Sequence, residues 1–400
     1  MPFDRERFER TGFVELAQEL VRTPSHPGLD RQEEAAARVL ADWFEARGIA
    51  VEWSEAAPGR PNVVARVRAE RAGRTLLLCG HTDTVPLNAD DPGYGFSGDV
   101  VHGQLRGRGA TDMKGPVASM AAALAVAAAE GDTALPAGEL VLAAVADEEM
   151  ESLGAEAFVR TGFAADGAIV GEPTSNRLAL GHKGLEWLAI DFTGRSAHGG
   201  TPQAGINAIA AAARFLALVE ERLAPALVAR AHPLLGPPTL NPGTIRGGDQ
   251  PSTVAARATI EFDRRTVPGE TFETVVAELE YLLTEVRVRH PGLATSIRRV
   301  AGGMATMEHV ALEIDAAHPL VGSTAAALSA LGHDATPTHF PAWTDGALLA
   351  RYARIPTLVL GPGDLAHAHS PREQVAVAEL VDAAAIYLET ARRFCAGEGA

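Results

Sequence analysis

Apolar residues recur at helical spacing from Phe8 to Val21, stop at Thr23-Pro24-Ser25-His26-Pro27-Gly28, and resume from Gln32 to Arg47, where Gly48 ends them. This spacing predicts two amphipathic helices. Ile49–Trp53 and Asn62–Val67 read as strands, the first alternating with polar residues as an edge strand does. Four short, continuous apolar runs follow: Thr75–Cys79, Leu140–Ala146, Ala168–Val170 and Thr357–Leu360. Helical segments separate them, among them the alanine run Ala118–Ala129. Such runs predict the buried strands of an α/β sheet.

The middle third has another rhythm. Leu185–Phe192 alternates, with Leu188, Ile190 and Phe192 on one side and Trp187, Ala189 and Asp191 on the other. A helix over Gly205–Arg222, strands over Thr239–Ile245 and Thr253–Thr266, a helix over Thr271–Val288 and a strand over Thr295–Val300 complete a β-α-β-β-α-β order. That order predicts a ferredoxin-like α+β unit. Gly181, Gly184, Gly302 and Gly303 flank it as expected hinges. The expected organisation is an α/β domain from residues 1–182 and 304–400, with a central, mostly parallel sheet flanked by helices, and an inserted domain over 183–303. A last helix, Val375–Phe394, closes the chain.

Composition narrows the partners. The net charge of −16 supplies no basic face for a nucleic acid and no polybasic patch for a membrane surface. Hydrophobic residues at 46% and aromatics at only 5% predict a sizeable, largely aliphatic core. No run reaches the ~18 apolar residues of a spanning helix. Met1–Arg10 is charged without an apolar stretch, so no signal peptide is expected. Cys79 and Cys395, far apart, predict no disulfide framework, and a cytoplasmic location is the default.

The apolar runs end on groups that bind cations. Thr75–Cys79 runs into Gly80-His81-Thr82-Asp83, Leu140–Ala146 into Asp147-Glu148-Glu149, Ala168–Val170 into Gly171-Glu172, and Thr357–Leu360 through a Gly-Pro-Gly loop to His367 and His369. Sheets of this class hold ligands beyond the carboxyl ends of their strands. Singly, each motif has a plainer reading. His81 and Asp83 fit a polar turn, although a metal-bound imidazole also needs an acceptor such as Asp83 for its second nitrogen. Asp112, in the loop Gly107–Gly115, fits a helix N-cap. The acid triplet fits a solvated cluster, and His367 competes with His369. Together, His81, Asp112, Glu149, Glu172 and His369 suit a pair of divalent ions, zinc first, with cobalt or manganese as alternatives. Two ions roughly 3.5–4 Å apart activate a water and polarise a carbonyl. Adjacent carboxylates also allow one to bind metal while the other moves protons.

With its motifs in this order, the chain resembles the M20 metallopeptidase family, which includes acetylornithine deacetylase, succinyl-diaminopimelate desuccinylase, aminoacylase and glutamate carboxypeptidase. The resemblance runs from Thr23-Pro24-Ser25 to the segment Ala366–Pro371. It implies that Asp112 bridges two metals, with His81 and Glu172 completing one site and Glu149 and His369 the other. It further implies that Glu148 is the general base, that Asp83 orients His81, and that the Asp112–Met113 peptide is cis. The inserted domain resembles the family's lid and dimerisation domain. There His198, in Ser196-Ala197-His198-Gly199-Gly200, matches the histidine that serves the partner's active site in dimeric relatives. By strand alternation Arg264 shares the face of Ala258, Ile260 and Phe262, and Arg265 the opposite face with Asp263. Arg265 matches the arginine that grips the substrate carboxylate, and an ordinary surface charge is the alternative reading of Arg264. Ser252-Thr253-Val254-Ala255 departs from the family's Asn-x-Val-Pro.

The implied activity is hydrolysis of the amide bond of an N-acyl amino acid or small peptide with a free carboxylate, by a homodimer. A metallo-carboxypeptidase or dipeptidase is the alternative within the class. A non-catalytic metal- or ligand-binding protein on the same fold is the reading outside it. The complete set of base and ligands argues against that last reading.

Overall fold

The computed structural model describes residues 4–302, 304 and 306–397, so the expected hinge Gly303 lies outside the described residues. The chain separates into two compact units, one of residues 1–182, 305–308 and 312–400, the other of residues 183–304 and 309–311.

The larger unit is built on a nine-stranded sheet of β1 (Val51–Ala57), β2 (Arg60–Arg68), β3 (Thr75–His81), β4 (Glu139–Val145), β5 (Gly167–Val170), β6 (Ala179–His182), β7 (Leu312–Glu313), β8 (Thr338–Phe340) and β9 (Thr357–Val359). Its order is β1-β2-β4-β3-β5-β9-β6-β7, with β8 on β6. The central four, β4, β3, β5 and β9, are mutually parallel. Antiparallel β1, β2 and β7 at the margins make the whole sheet mixed. β4 and β5 are buried at every position, which is why neither alternates in sequence. The alanine-rich run forms the helix Lys114–Glu130, buried from Lys114 to Ala127. Small side chains let the helices Phe13–Arg22 and Val377–Ala396 pack against it.

The single helix expected over Phe8–Val21 is two, Glu6–Glu9 and Phe13–Arg22. Gly12 between them takes the left-handed conformation, φ 72°, which glycine adopts without steric cost.

The smaller unit has the β-α-β-β-α-β order. Its antiparallel sheet runs Thr239–Gly247, Arg257–Thr266, Gly184–Thr193, Ala294–Arg299, so the first strand lies inside. Leu188, Ile190, Phe192, Ile260 and Phe262 are buried in one core with Phe215 and Leu283 of the helices. Two boundaries differ from expectation. The first helix starts at Ala208, where Asn207 caps it, and continues past Arg222 through a π turn to Ala229. The strand expected from Thr253 starts at Arg257, because Val254 N–H donates instead to the Ala197 carbonyl. Among the described residues, no helix is long and apolar enough to cross a membrane.

Candidate metal centre

Parallel pairing brings the strand ends together: His81 pairs with Val145, and Cys79 with Val170. His81 therefore ends β3 beside the turn that follows β4, and Glu172 lies just past β5. Asp112 comes from the loop before the buried helix. Its peptide bond to Met113 is cis, and the helix has no side-chain cap, so the N-cap reading of Asp112 does not hold.

The Asp112 carboxylate faces two ways. Its Oδ1 lies 3.0 Å from His81 Nε2 and its Oδ2 3.4 Å from His369 Nε2. Glu149 Oε1 is 3.0 Å from His369 Nε2. Glu172 Oε1 and Glu148 Oε2 stand 3.8 and 3.9 Å from His81 Nε2. His81, Asp112 and Glu149 cluster closely enough to share an ion, as do His81, Glu148 and Glu172. His367 ends a short 3-10 turn; neither it nor His369 joins either group, but His369 Nε2 reaches Glu149 and Asp112.

The acid triplet is not one cluster. Asp147, at φ 70°, turns its carboxylate to Arg60 Nη2 at 2.7 Å, and Arg60 also binds Glu33. The cation that neutralises Asp147 is thus an arginine. Asp83 accepts the backbone N–H groups of Glu148 and Glu149 at 3.1 and 3.0 Å, fixing both acids. The Asp83 carbonyl lies 3.1 Å from His81 Nδ1, and its Oδ1 3.4 Å away. With the proton assigned to Nδ1, Nε2 is left to face Asp112.

The electrostatics of the cluster suit a cation. Burial and the neighbouring Glu172 push the Glu148 carboxyl well above its ordinary range. Burial and Asp112 do the same to Glu172, and more mildly to Glu149. Asp112 itself is held low: burial acts to raise it, but His369 and His81 outweigh that. Asp112 and Glu149 push His369 up to about 10. Glu172 Oε1 is buried without a hydrogen-bond partner among the described residues. Four carboxylates against two imidazoles lack countercharge, which a divalent ion supplies. Two atoms on one tetrahedral zinc with ~2.0 Å bonds lie about 3.3 Å apart, close to the spacings around Asp112. The residues therefore fit a pair of divalent ions.

The remaining two candidates belong to the smaller unit. His198 is exposed, and its Nδ1 accepts the Gly200 N–H at 3.1 Å, which leaves Nε2–H as a donor. The loop is held by Ser252, whose carbonyl accepts the Gly199 N–H at 2.7 Å. Arg265 grips Asp263 with Nε and Nη2 at 2.7 and 3.0 Å. Arg264 is not a surface charge: it is buried, donating to the Thr239 carbonyl and to Glu270. Strand alternation explains this, since Arg264 shares the face of Ile260 and Phe262.

Sequence reasoning missed a buried frame around the site. Glu373 accepts the N–H groups of Gly109, Thr111 and Asp112, and Arg108 bonds to it. Lys114 is wholly buried, donating to the Thr23 carbonyl at 2.6 Å, and burial lowers it to about 7. No periodicity marks such residues.

Residues 77–393 match the profile described as peptidase family M20/M25/M40. The chain is 32% identical to an acetylornithine deacetylase of Proteus mirabilis (strain HI4320), over 97% of this chain and 98% of that protein. In fold it is similar to the aminopeptidase PepT of Bacillus cereus ATCC 10987, with TM-score 0.79, 20% identity and coverage of 98% and 99% of the two chains. It is also similar to Bacillus subtilis YXEP, described as a dinuclear metal binding peptidase, with TM-score 0.71, 16% identity and coverage of 97% and 98%. The chain belongs to peptidase family M20/M25/M40 and is a metal-dependent hydrolase.

Proposed function

We propose that the protein cleaves the amide bond of an N-acyl amino acid bearing a free carboxylate. Two divalent cations, zinc first, would be held by His81, Asp112 and Glu172 on one side and by Asp112, Glu149 and His369 on the other. The observation that carries this reading is the placement of the two Asp112 oxygens, one toward each histidine. A relative named acetylornithine deacetylase, matched along nearly the whole chain, favours an N-acetylated amino acid as substrate.

Bound cations would polarise the scissile carbonyl and acidify a water. Glu148 serves as the general base. It stands beside His81 with its backbone pinned by Asp83, placed to take a proton from the water and return it to the leaving nitrogen. Asp83 is a positioning residue for both His81 and the Glu148–Glu149 backbone. His198, with its proton on Nε2, is a donor for the tetrahedral oxyanion of the partner's site in a homodimer. Such a donor commonly lowers a barrier by about 2.7–4 kcal/mol. Arg265 takes the substrate carboxylate in place of Asp263, a planar, bidentate task suited to guanidinium. Its bond to Asp263 is the contact a substrate must displace.

The test is metal analysis combined with release of free amine from a panel of N-acyl amino acids and dipeptides. Two equivalents of metal are expected, with release from N-acetylornithine or another N-acyl amino acid faster than from dipeptides. Two equivalents of metal with no amine released from any member would favour a binding protein instead.

A further inference from the structure

Outside the ligands themselves, one polar network ties the metal-binding loops together. A small sheet of Asp99–Val101, Gln104–Arg106 and Gln374–Ala376 lays the segment before Asp112 beside the segment after His369. At its end, Arg108 and Glu373, 265 positions apart, are both buried and bonded at 2.6 Å. Glu373 Oε1 accepts three backbone donors, the N–H groups of Gly109 at 2.9 Å, Thr111 at 3.0 Å and Asp112 at 3.1 Å. Its Oε2 accepts from Arg108 Nη1. The other arm of that guanidinium, Nη2, donates to the His369 carbonyl at 3.2 Å and to Asn88 Oδ1 at 3.1 Å. His369 has φ 58°, uncommon for a residue with a side chain, so its backbone needs holding in place.

We propose that Glu373 and Arg108 form a positioning pair for the second cation. The carboxylate fixes the backbone that presents Asp112, and the guanidinium carries that anchorage across to the backbone of His369. Neither residue touches the reacting atoms. They set the spacing of two ligands drawn from distant parts of the chain, which neither loop fixes alone. A carboxylate is required because one oxygen must serve three donors while the other accepts from an arginine. An amide keeps the first function and turns an N–H₂ group against the second. The inference rests on the two-cation reading above.

The experiment is zinc titration by calorimetry of the chelator-treated full chain, for the wild type, Glu373→Ala, Glu373→Gln and Arg108→Lys. Lysine still reaches Glu373 as a point charge but has no second arm for His369. Affinity for the second equivalent is expected to fall about tenfold or more in Glu373→Ala and in Arg108→Lys, with Glu373→Gln between wild type and Glu373→Ala. The first equivalent should change little in Arg108→Lys, while Glu373→Ala, acting through the Asp112 shared by both cations, weakens it as well. At saturating zinc, kcat should fall while KM stays within about twofold of wild type, the pattern of lost transition-state geometry. In a His369→Ala background, Arg108→Lys should add no further loss, because its effect runs through His369.

Circular dichroism of the metal-free variants checks folding, and if Glu373→Ala does not fold, Arg108→Lys decides alone. Wild-type affinity for both equivalents in Arg108→Lys, or an effect additive with His369→Ala, overturns the pairing while the two-cation reading stands. A wild type that binds fewer than two equivalents overturns both.

Discussion

The carboxylate of Asp83 shows how much one buried side chain does at the residue scale. It anchors two backbone amides of the acid turn, and its backbone oxygen faces His81. Glu148, so placed, is the group whose loss should stop turnover. Glu148→Gln is expected to lower kcat by about 10²–10⁴-fold or more while zinc content stays at the wild-type level, measured by amine release and metal analysis. A second residue tests pH dependence away from the site. Burial acts to raise the Glu156 carboxyl, but hydrogen bonds from Thr306 and Met307, together with Arg160, outweigh it, and the pKa is lowered. A lowered native pKa gives stability that is complete above the ordinary value, about 4.3, and is lost as pH falls through the native one. Glu156→Gln should therefore flatten the acid limb of stability against pH, followed by urea melts between about pH 5 and pH 2. Of the acid triplet, the sequence placed Glu148 and Glu149 at a strand end. It could not show that Asp147 belongs to Arg60, because β2 approaches β4 only through the sheet.

At the scale of elements, the site depends on how closely strand ends and loops approach. The loop after β9 passes the end of β5 so tightly that a Cβ on Gly361 would meet the Gly171 carbonyl oxygen at 2.0 Å and its carbon at 2.5 Å. Both obstacles are backbone, and Glu172 is the next residue. Gly361→Ala should force the two segments apart, costing about 1–3 kcal/mol of stability and weakening zinc binding on the Glu172 side. A thermal melt and a zinc titration check the two effects. An unchanged zinc affinity would show that Glu172 is not held by this contact. The elements themselves were legible where one physical signal dominated. Continuous apolar runs gave the buried strands, and alternation gave the strand Gly184–Thr193. Boundaries failed where tertiary bonds competed with local pattern, as at Val254, whose N–H goes to Ala197 rather than into the strand.

At the scale of the whole molecule, the proposed role of His198 makes a prediction no single subunit can satisfy. The protein should run as a homodimer in light scattering. His198→Ala and Glu148→Gln should each be nearly inactive alone. Mixed and re-associated, they should recover about a quarter of wild-type activity, because half the dimers then carry one intact site under two-fold symmetry. No recovery from verified heterodimers would mean that His198 does not act across subunits.

The sequence by itself determined the strand ends that carry His81, Glu149 and Glu172, the β-α-β-β-α-β order of the inserted unit, and the net charge of −16. These follow from hydrophobic period and charge, which are local or additive properties of the chain. Only the tertiary structure decided that His369 rather than His367 faces Glu149 and Asp112, and that Asp112 looks both ways instead of capping its helix. It also revealed Glu373 and Arg108, joined across 265 residues. Hydrogen bonds between buried polar groups have no period. They are fixed by which backbone donors the packed core leaves without a partner, and that is known only once the core has formed.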